Sequence, residues 1–318
     1  MNVTNHVSQT PAARNLLEEH QRLAEINHMD ATHAVEDYRR SLEQRDGLPI
    51  EVHWEPKPPG GFGTVTCAWL EVPPADHHLL QLTASVPELA KPAVLAHELT
   101  HLDIDGQAKT VGKLRKIGVT VENEKTMMAA LAPHVRALRW KTFGSEKQIK
   151  NCGVDLLMRF ISGVQNNSLD MIVETKIKHL MPILASAQYL SSRFAVQRRR
   201  DAEGWKLWPD LLPRNLYRGL RASSASYFLF FDALFDNVTD DFAPDRNTFY
   251  EELAEALVDR FERAFPKLGP GDDYEFVDSV ATMVGIREFY SWLPIAPMEV
   301  KSNREAQPRE ACGELAFS

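Results

Sequence analysis

His97-Glu98-Leu99-Thr100-His101 puts two imidazoles and a carboxylate within five residues. On a helix the two His lie one turn apart with their rings on one face. At that spacing two neutral imidazoles can share one Zn²⁺. Glu98 cannot enter the same coordination sphere from the same helix, but it can reach a water on the metal, so it reads as a general base. The chemistry this predicts is metal-assisted hydrolysis. Zinc lowers the pKa of its water toward ~7. Glu98 takes the proton as the water attacks a carbonyl, then returns it to the leaving amine. A further donor must steady the oxyanion, and His179, Tyr189 and Arg193 stand in sequence for that role. The plain alternative is an amphipathic helix whose polar face happens to carry two imidazoles.

The flanking sequence predicts how this stretch is held. Leu95, Leu99 and Leu102 form an apolar stripe opposite the motif, as in a helix buried on one side. Pro87 and Pro92 lead into that helix, and Gly106 is placed to end it. Upstream, Leu79–Val86 alternates as a strand, with Leu80, Leu82, Ala84 and Val86 on one face. Its free edge could pair with an extended peptide. Thr64–Val72 and Ile50–Trp54 are further strand candidates, separated by a Pro/Gly loop. His77 and His78, after a double proline, read as surface residues rather than ligands. Residues 11–46 read as a helix broken by Asp46-Gly47-Leu48-Pro49. From about residue 120 onward helical spacing dominates, with Thr248-x-x-Glu251 as a capping box. The aromatic run Tyr227–Phe235 reads as core.

His97, Glu98 and His101 resemble the signature of the zincin metallopeptidases over about twenty residues. The resemblance implies a catalytic zinc with three protein ligands and one position for water. The third ligand is not local. The metzincin spacing would place it at Gln107, which cannot serve. Asp105 lies on the same helical face as His101 and could orient that ring by a hydrogen bond. The gluzincin pattern uses a Glu on a later helix, and Asn166–Ile177 offers one. There Asn167 or Ser168 can cap a helix, and Asp170 and Glu174 share a face one turn apart. Met171, Ile172 and Val173 mark the segment as largely buried, and buried carboxylates need partners. The expectation is that Glu174 binds the metal and Asp170 orients a ligand His. The competing view is a solvated face, with Lys178 pairing Glu174. The motif also resembles that of peptide deformylases, in which an upstream Cys is the third ligand. Cys67 would be the candidate, but the sequence around it departs from that family's.

The whole chain sets the bounds. Its 318 residues are 44% hydrophobic and 25% charged, an ordinary globular composition. A net charge of −8 argues against nucleic acid as a partner and leaves a peptide or protein substrate. Three scattered cysteines, no basic-then-apolar N-terminus and no long apolar run predict a cytoplasmic protein without a membrane span. The predicted fold class is α+β: a small, mostly antiparallel sheet with the metal helix, then a larger α-helical lobe. The division is 1–47 as an N-terminal helical segment, 48–115 as sheet plus helix, 116–297 as the helical lobe completing the site, and 298–318 as a loose tail. The leading function is a zinc metallopeptidase. A regulatory or partner-binding protein on a zincin scaffold and a deformylase-like amide hydrolase using Cys67 are the alternatives.

Overall fold

A computed structural model describes residues 11–56, 63–71, 73–138, 145–202, 212–235 and 249–295. It opens with helix α1, Pro11–Asp46. Gly47, at φ 68°, ends it in the left-handed conformation, and its amide returns to the Glu43 carbonyl. Strands β1 (Ile50–Glu55), β2 (Gly63–Thr66) and β3 (His78–Thr83) follow. They form one sheet in the order β1-β3-β2, with β1 parallel and β2 antiparallel to β3. Ile50, Leu80 and Leu82 of its inner face are fully buried.

Two expectations about the sheet change. Thr64–Val72 is not one strand: β2 stops at Thr66 and a short 3₁₀ turn follows over Ala68–Leu70, with Val72 outside the described residues. And β3 has no free edge, because β1 and β2 flank it. The edges belong to those two strands. A period-2 pattern identifies a strand's faces but not its neighbours.

Helix α2, Lys91–Thr110, carries the motif and is buried over most of its surface. It packs against α1, β2 and two later helices, α4 (Glu146–Leu180) and α5 (Ala185–Ala202). Sequence predicted burial on one side only, and Leu95, assigned to the apolar stripe, is only half-buried. Gly106 does not end the helix. It lies inside, where a Cβ would come within 2.2 Å of the Arg45 guanidinium from α1. Arg45 in turn binds Asp103 of α2 and Asp46. The glycine admits a neighbouring side chain rather than a turn. The stop comes at Gly112, φ 69°.

Downstream, β4 (Arg115–Gly118) leads to α3 (Val121–Leu138) and then α4. Helix α4 is one continuous 35-residue helix, so neither Asn167 nor Ser168 caps it. Its cap is Ser145, whose hydroxyl accepts from the Gln148 amide while the Gln148 side chain accepts from the Ser145 amide. Asn167 instead donates to the Ser223 carbonyl, and Ser168 bonds back to Val164. Helices α6 (Arg214–Leu234), α7 (Glu251–Ala264) and α8 (Asp273–Met283) complete the lobe. Strand β5 (Ser291–Pro294) then pairs antiparallel with β4. Tyr227, Phe228, Phe230 and Phe231 are core. Thr248 and the 298–318 tail lie outside the described residues. The fold is α+β, a small sheet beside a larger helical lobe, and two of its three strand pairings are antiparallel. Among the described residues no helix is long and apolar enough to cross a membrane.

Candidate metal centre

Helices α2 and α4 meet at the motif. His97 and His101 face α4 with their rings edge to face, centroids 4.8 Å apart. Their Nε2 atoms are 3.1 Å from each other. Asp170 Oδ1 lies 3.5 Å from His97 Nε2 and 3.3 Å from His101 Nε2. Two ring nitrogens that approach so closely must share a proton or a cation, since two lone pairs repel. These three side chains form a cluster able to hold a metal ion. The fit can be tested by geometry. Ligand atoms about 2.0–2.1 Å from a tetrahedral centre are about 3.3–3.4 Å from one another. The three observed separations straddle that value.

The two α4 carboxylates take each other's expected positions. Glu174 does not join the cluster. Its Oε1 lies 2.8 Å from His97 Nδ1, on the far side of that ring. Its Oε2 accepts from Gln188 Nε2 of α5 at 2.6 Å. Asp170, expected to orient a histidine, occupies the position facing both Nε2 atoms. A hydrogen bond at Nδ1 leaves the His97 Nε2 lone pair for the cluster, so Glu174 sets the ring's orientation and tautomer.

Electrostatics at the cluster follow from this packing. Burial works against a charged His97, but its hydrogen bonds to Asp170 and Glu174, with their charges, hold its pKa well above the usual value. Burial likewise opposes ionised Asp170, and the His101 and His97 rings overcome it, holding the carboxyl below the usual range. A cation entering the cluster therefore competes with a proton.

Glu98 lies beside the cluster, only 7% exposed. Burial raises its pKa, against the pull of His97 and His101. Gly63 of β2 rests directly on it: a Cβ there would be 2.2 Å from Glu98 Oε1 and 2.7 Å from Cδ. Nothing local in the sequence marks Gly63 for this contact.

The other candidates fall elsewhere. The Cys67 thiol donates to Asp105 Oδ2 at 3.6 Å and is not in the cluster. Burial, reinforced by the Asp105 charge, pushes the thiol pKa up, which disfavours the thiolate a metal needs. Asp105 receives that hydrogen bond instead of holding a histidine in one. Burial raises its pKa, and the nearby His101 opposes the shift. Gln107, at the metzincin position, is turned onto Asp103. Tyr189 is fully buried, stacked on His20 and edge-on to Phe235. His179 is exposed near Phe265 at the end of α4. His78 is buried rather than superficial, and its Nδ1 accepts the Ala68 amide. His77 sits beside Asp76 at the surface.

Asp273, at the start of α8, is a further buried carboxyl. Burial pushes Asp273 up to about 6, and the Asp105 charge adds to this. A carboxyl whose pKa is raised by folding destabilises the folded state where it must ionise, and the cost vanishes once pH falls below its unfolded value. Asp273→Asn is therefore expected to stabilise the protein by about 2–3 kcal/mol at pH 7.5. The gain should shrink as pH falls through 6 and approach zero near pH 4. Urea unfolding at several pH values checks this, and a gain independent of pH would contradict it.

No protein-family model matches the chain, and no curated protein or solved structure matches it.

Proposed function

We propose that this protein is a zinc-dependent hydrolase of peptide bonds, with His97, His101 and Asp170 as metal ligands and Glu98 as general base. The observation that carries the reading is the His97–His101–Asp170 triangle, with edges of 3.1, 3.3 and 3.5 Å, beside a buried carboxylate that is not part of it. A structural zinc site has four protein ligands and needs no base, whereas three ligands leave a position for chemistry.

When bound, zinc supplies an acidified water and a Lewis acid for a carbonyl oxygen. The chain's own groups do the rest. The Glu98 carboxylate accepts the proton from the attacking water and delivers it to the leaving nitrogen. Its raised pKa brings it closer to the range in which a group both takes and returns a proton near neutrality. Glu174 keeps His97 turned to the cluster through Nδ1. Among the described residues β2 is an edge strand of its sheet and rests on Glu98, and we favour an extended peptide backbone among amide substrates for that position.

The test is elemental analysis of the purified chain together with cleavage of a peptide library, with and without chelator. About one zinc per chain is expected, with cleavage that chelation stops and Glu98→Gln removes. A His₂–carboxylate set also suits Fe(II), so iron in place of zinc would overturn the assignment. Stoichiometric zinc with no Glu98-dependent cleavage would overturn the enzyme reading and favour a regulatory protein on this scaffold.

A further inference from the structure

Gln188, on α5, is 1% exposed, and neither of its hydrogen bonds goes to the three clustered donors. Its Nε2 donates to Glu174 Oε2 at 2.6 Å and to the Glu174 backbone carbonyl at 2.7 Å. Both are acceptors, so the amide cannot be flipped: the carbonyl end would then face two lone-pair oxygens. That orientation leaves Gln188 Oε1 buried without a hydrogen-bond partner. An orphaned buried acceptor costs on the order of 1–3 kcal/mol, and a buried residue that served only packing could be apolar at no such cost. Both hydrogens of the amide are committed to one residue, Glu174. The one oxygen of Glu174 that Gln188 does not hold is the one bonded to His97 Nδ1.

We propose that Gln188 is a positioning residue of the metal centre, acting through Glu174 to hold the His97 ring in its ligand orientation. The proposal rests on the metal-centre reading above. Two anchors on Glu174, one at the carboxylate and one at the backbone of the same residue, fix its rotamer. Glu174 Oε1 then meets the Nδ1–H at 2.8 Å and cannot rotate toward the cluster as a competing ligand. Removing the donors frees the carboxylate to turn, and His97 loses its second support. The chain Gln188–Glu174–His97 also ties α5 to the motif on α2 through α4, so three helices set one ring.

The test uses the full chain and two variants, Gln188→Met, which keeps an unbranched side chain of similar length without donors, and Gln188→Glu, which keeps the shape and replaces the donor. Two readouts are taken. One is the His97 Nδ1–H resonance of the metal-free protein, with ¹⁵N-labelled histidine. A slowly exchanging downfield proton is expected in the wild type, and an exchange-broadened one in either variant. The other is zinc affinity by chelator competition, expected to fall about 10-fold or more in both variants, in the range for partners behind a ligand. In a Glu174→Gln background, Gln188→Met should add little to the loss, because the two residues act in series. A residue that only fills space would lower the unfolding midpoint, keep the Nδ1–H resonance and add its full effect in the Glu174→Gln background. Any of those last two outcomes, or an unchanged zinc affinity, overturns the proposal. A wild type that binds no zinc overturns the metal-centre reading, and the Nδ1–H resonance still decides whether Gln188 holds the ring.

Discussion

Asp170→Ala is expected to abolish zinc retention, whereas Glu174→Ala is expected to leave zinc bound with reduced affinity. The two residues sit one turn apart on α4 and carry the same charge, Glu174 buried and Asp170 half-buried, yet they meet opposite nitrogens of one imidazole. Asp170 Oδ1 meets both Nε2 atoms within 3.5 Å, where a metal would sit. Its removal leaves two donors, too few for a catalytic zinc. Asp170→Asn tests the same point with the volume kept, because an amide oxygen is a far weaker ligand than a carboxylate. Glu174 touches Nδ1 instead, and loss of such a partner lowers affinity by roughly 10–100-fold. Zinc per chain after gel filtration, with circular dichroism to confirm folding, separates the cases. Retained zinc in Asp170→Ala with zinc lost in Glu174→Ala would restore the gluzincin-like assignment. Loss in both to the same degree would mean that the carboxylates act through general electrostatics and not through coordination.

That exchange of roles marks how far sequence reaches here. The motif on α2 was legible because everything it needs is local: a spacing of four on a helix puts two rings on one face whatever the rest of the chain does. The Asp170–Glu174 pair was legible as a pair, through buried apolar neighbours that require partners for both carboxylates. Which one faces the two Nε2 atoms was not. Residues four apart on a helix differ by about 40° in direction and about 6 Å along the axis. A small rotation or slide of α4 against α2 would exchange them, and that register is set by long-range packing. Gly106 failed for a related reason. A glycine in a helical pattern reads as a stop, and only the approach of Arg45 from α1 shows it as a packing site. The β4–β5 pairing joins residues far apart in the chain through strands of four residues each, too short for periodicity to register. Gln188 and Gly63 carry no local signal at all. Their importance lies in what they touch.

Gly63→Ala is expected to remove activity without removing the metal. The added methyl carbon would sit 2.2 Å from Glu98 Oε1, 2.7 Å from Cδ and 3.0 Å from Cγ. These are contacts to the whole end of the side chain, so rotating one oxygen aside does not relieve them. Glu98 is buried, so it has no open solvent to swing into. Strand β2 is held in turn by its pairing with β3, where Gly63 lies opposite Leu82. Something must shift, and the carboxylate is the least anchored member. A general base displaced by an ångström loses most of its worth, because proton transfer needs hydrogen-bond distance to the attacking water. The expected loss in kcat is of the order of 10²–10⁴-fold, comparable with that of Glu98→Gln. His97, His101 and Asp170 lie on α2 and α4, and the three atoms nearest the added methyl all belong to Glu98, so zinc content should stay at the wild-type level. The double variant Gly63→Ala/Glu98→Gln should be no worse than Glu98→Gln alone, since both changes remove the same proton acceptor. Full activity in Gly63→Ala would show that β2 yields to the methyl group without moving the base. Loss of zinc would show that the damage reaches the ligands. Additive losses in the double variant would mean that Gly63 acts on something other than Glu98, and the peptide backbone expected along the β2 edge would then be the next group to probe.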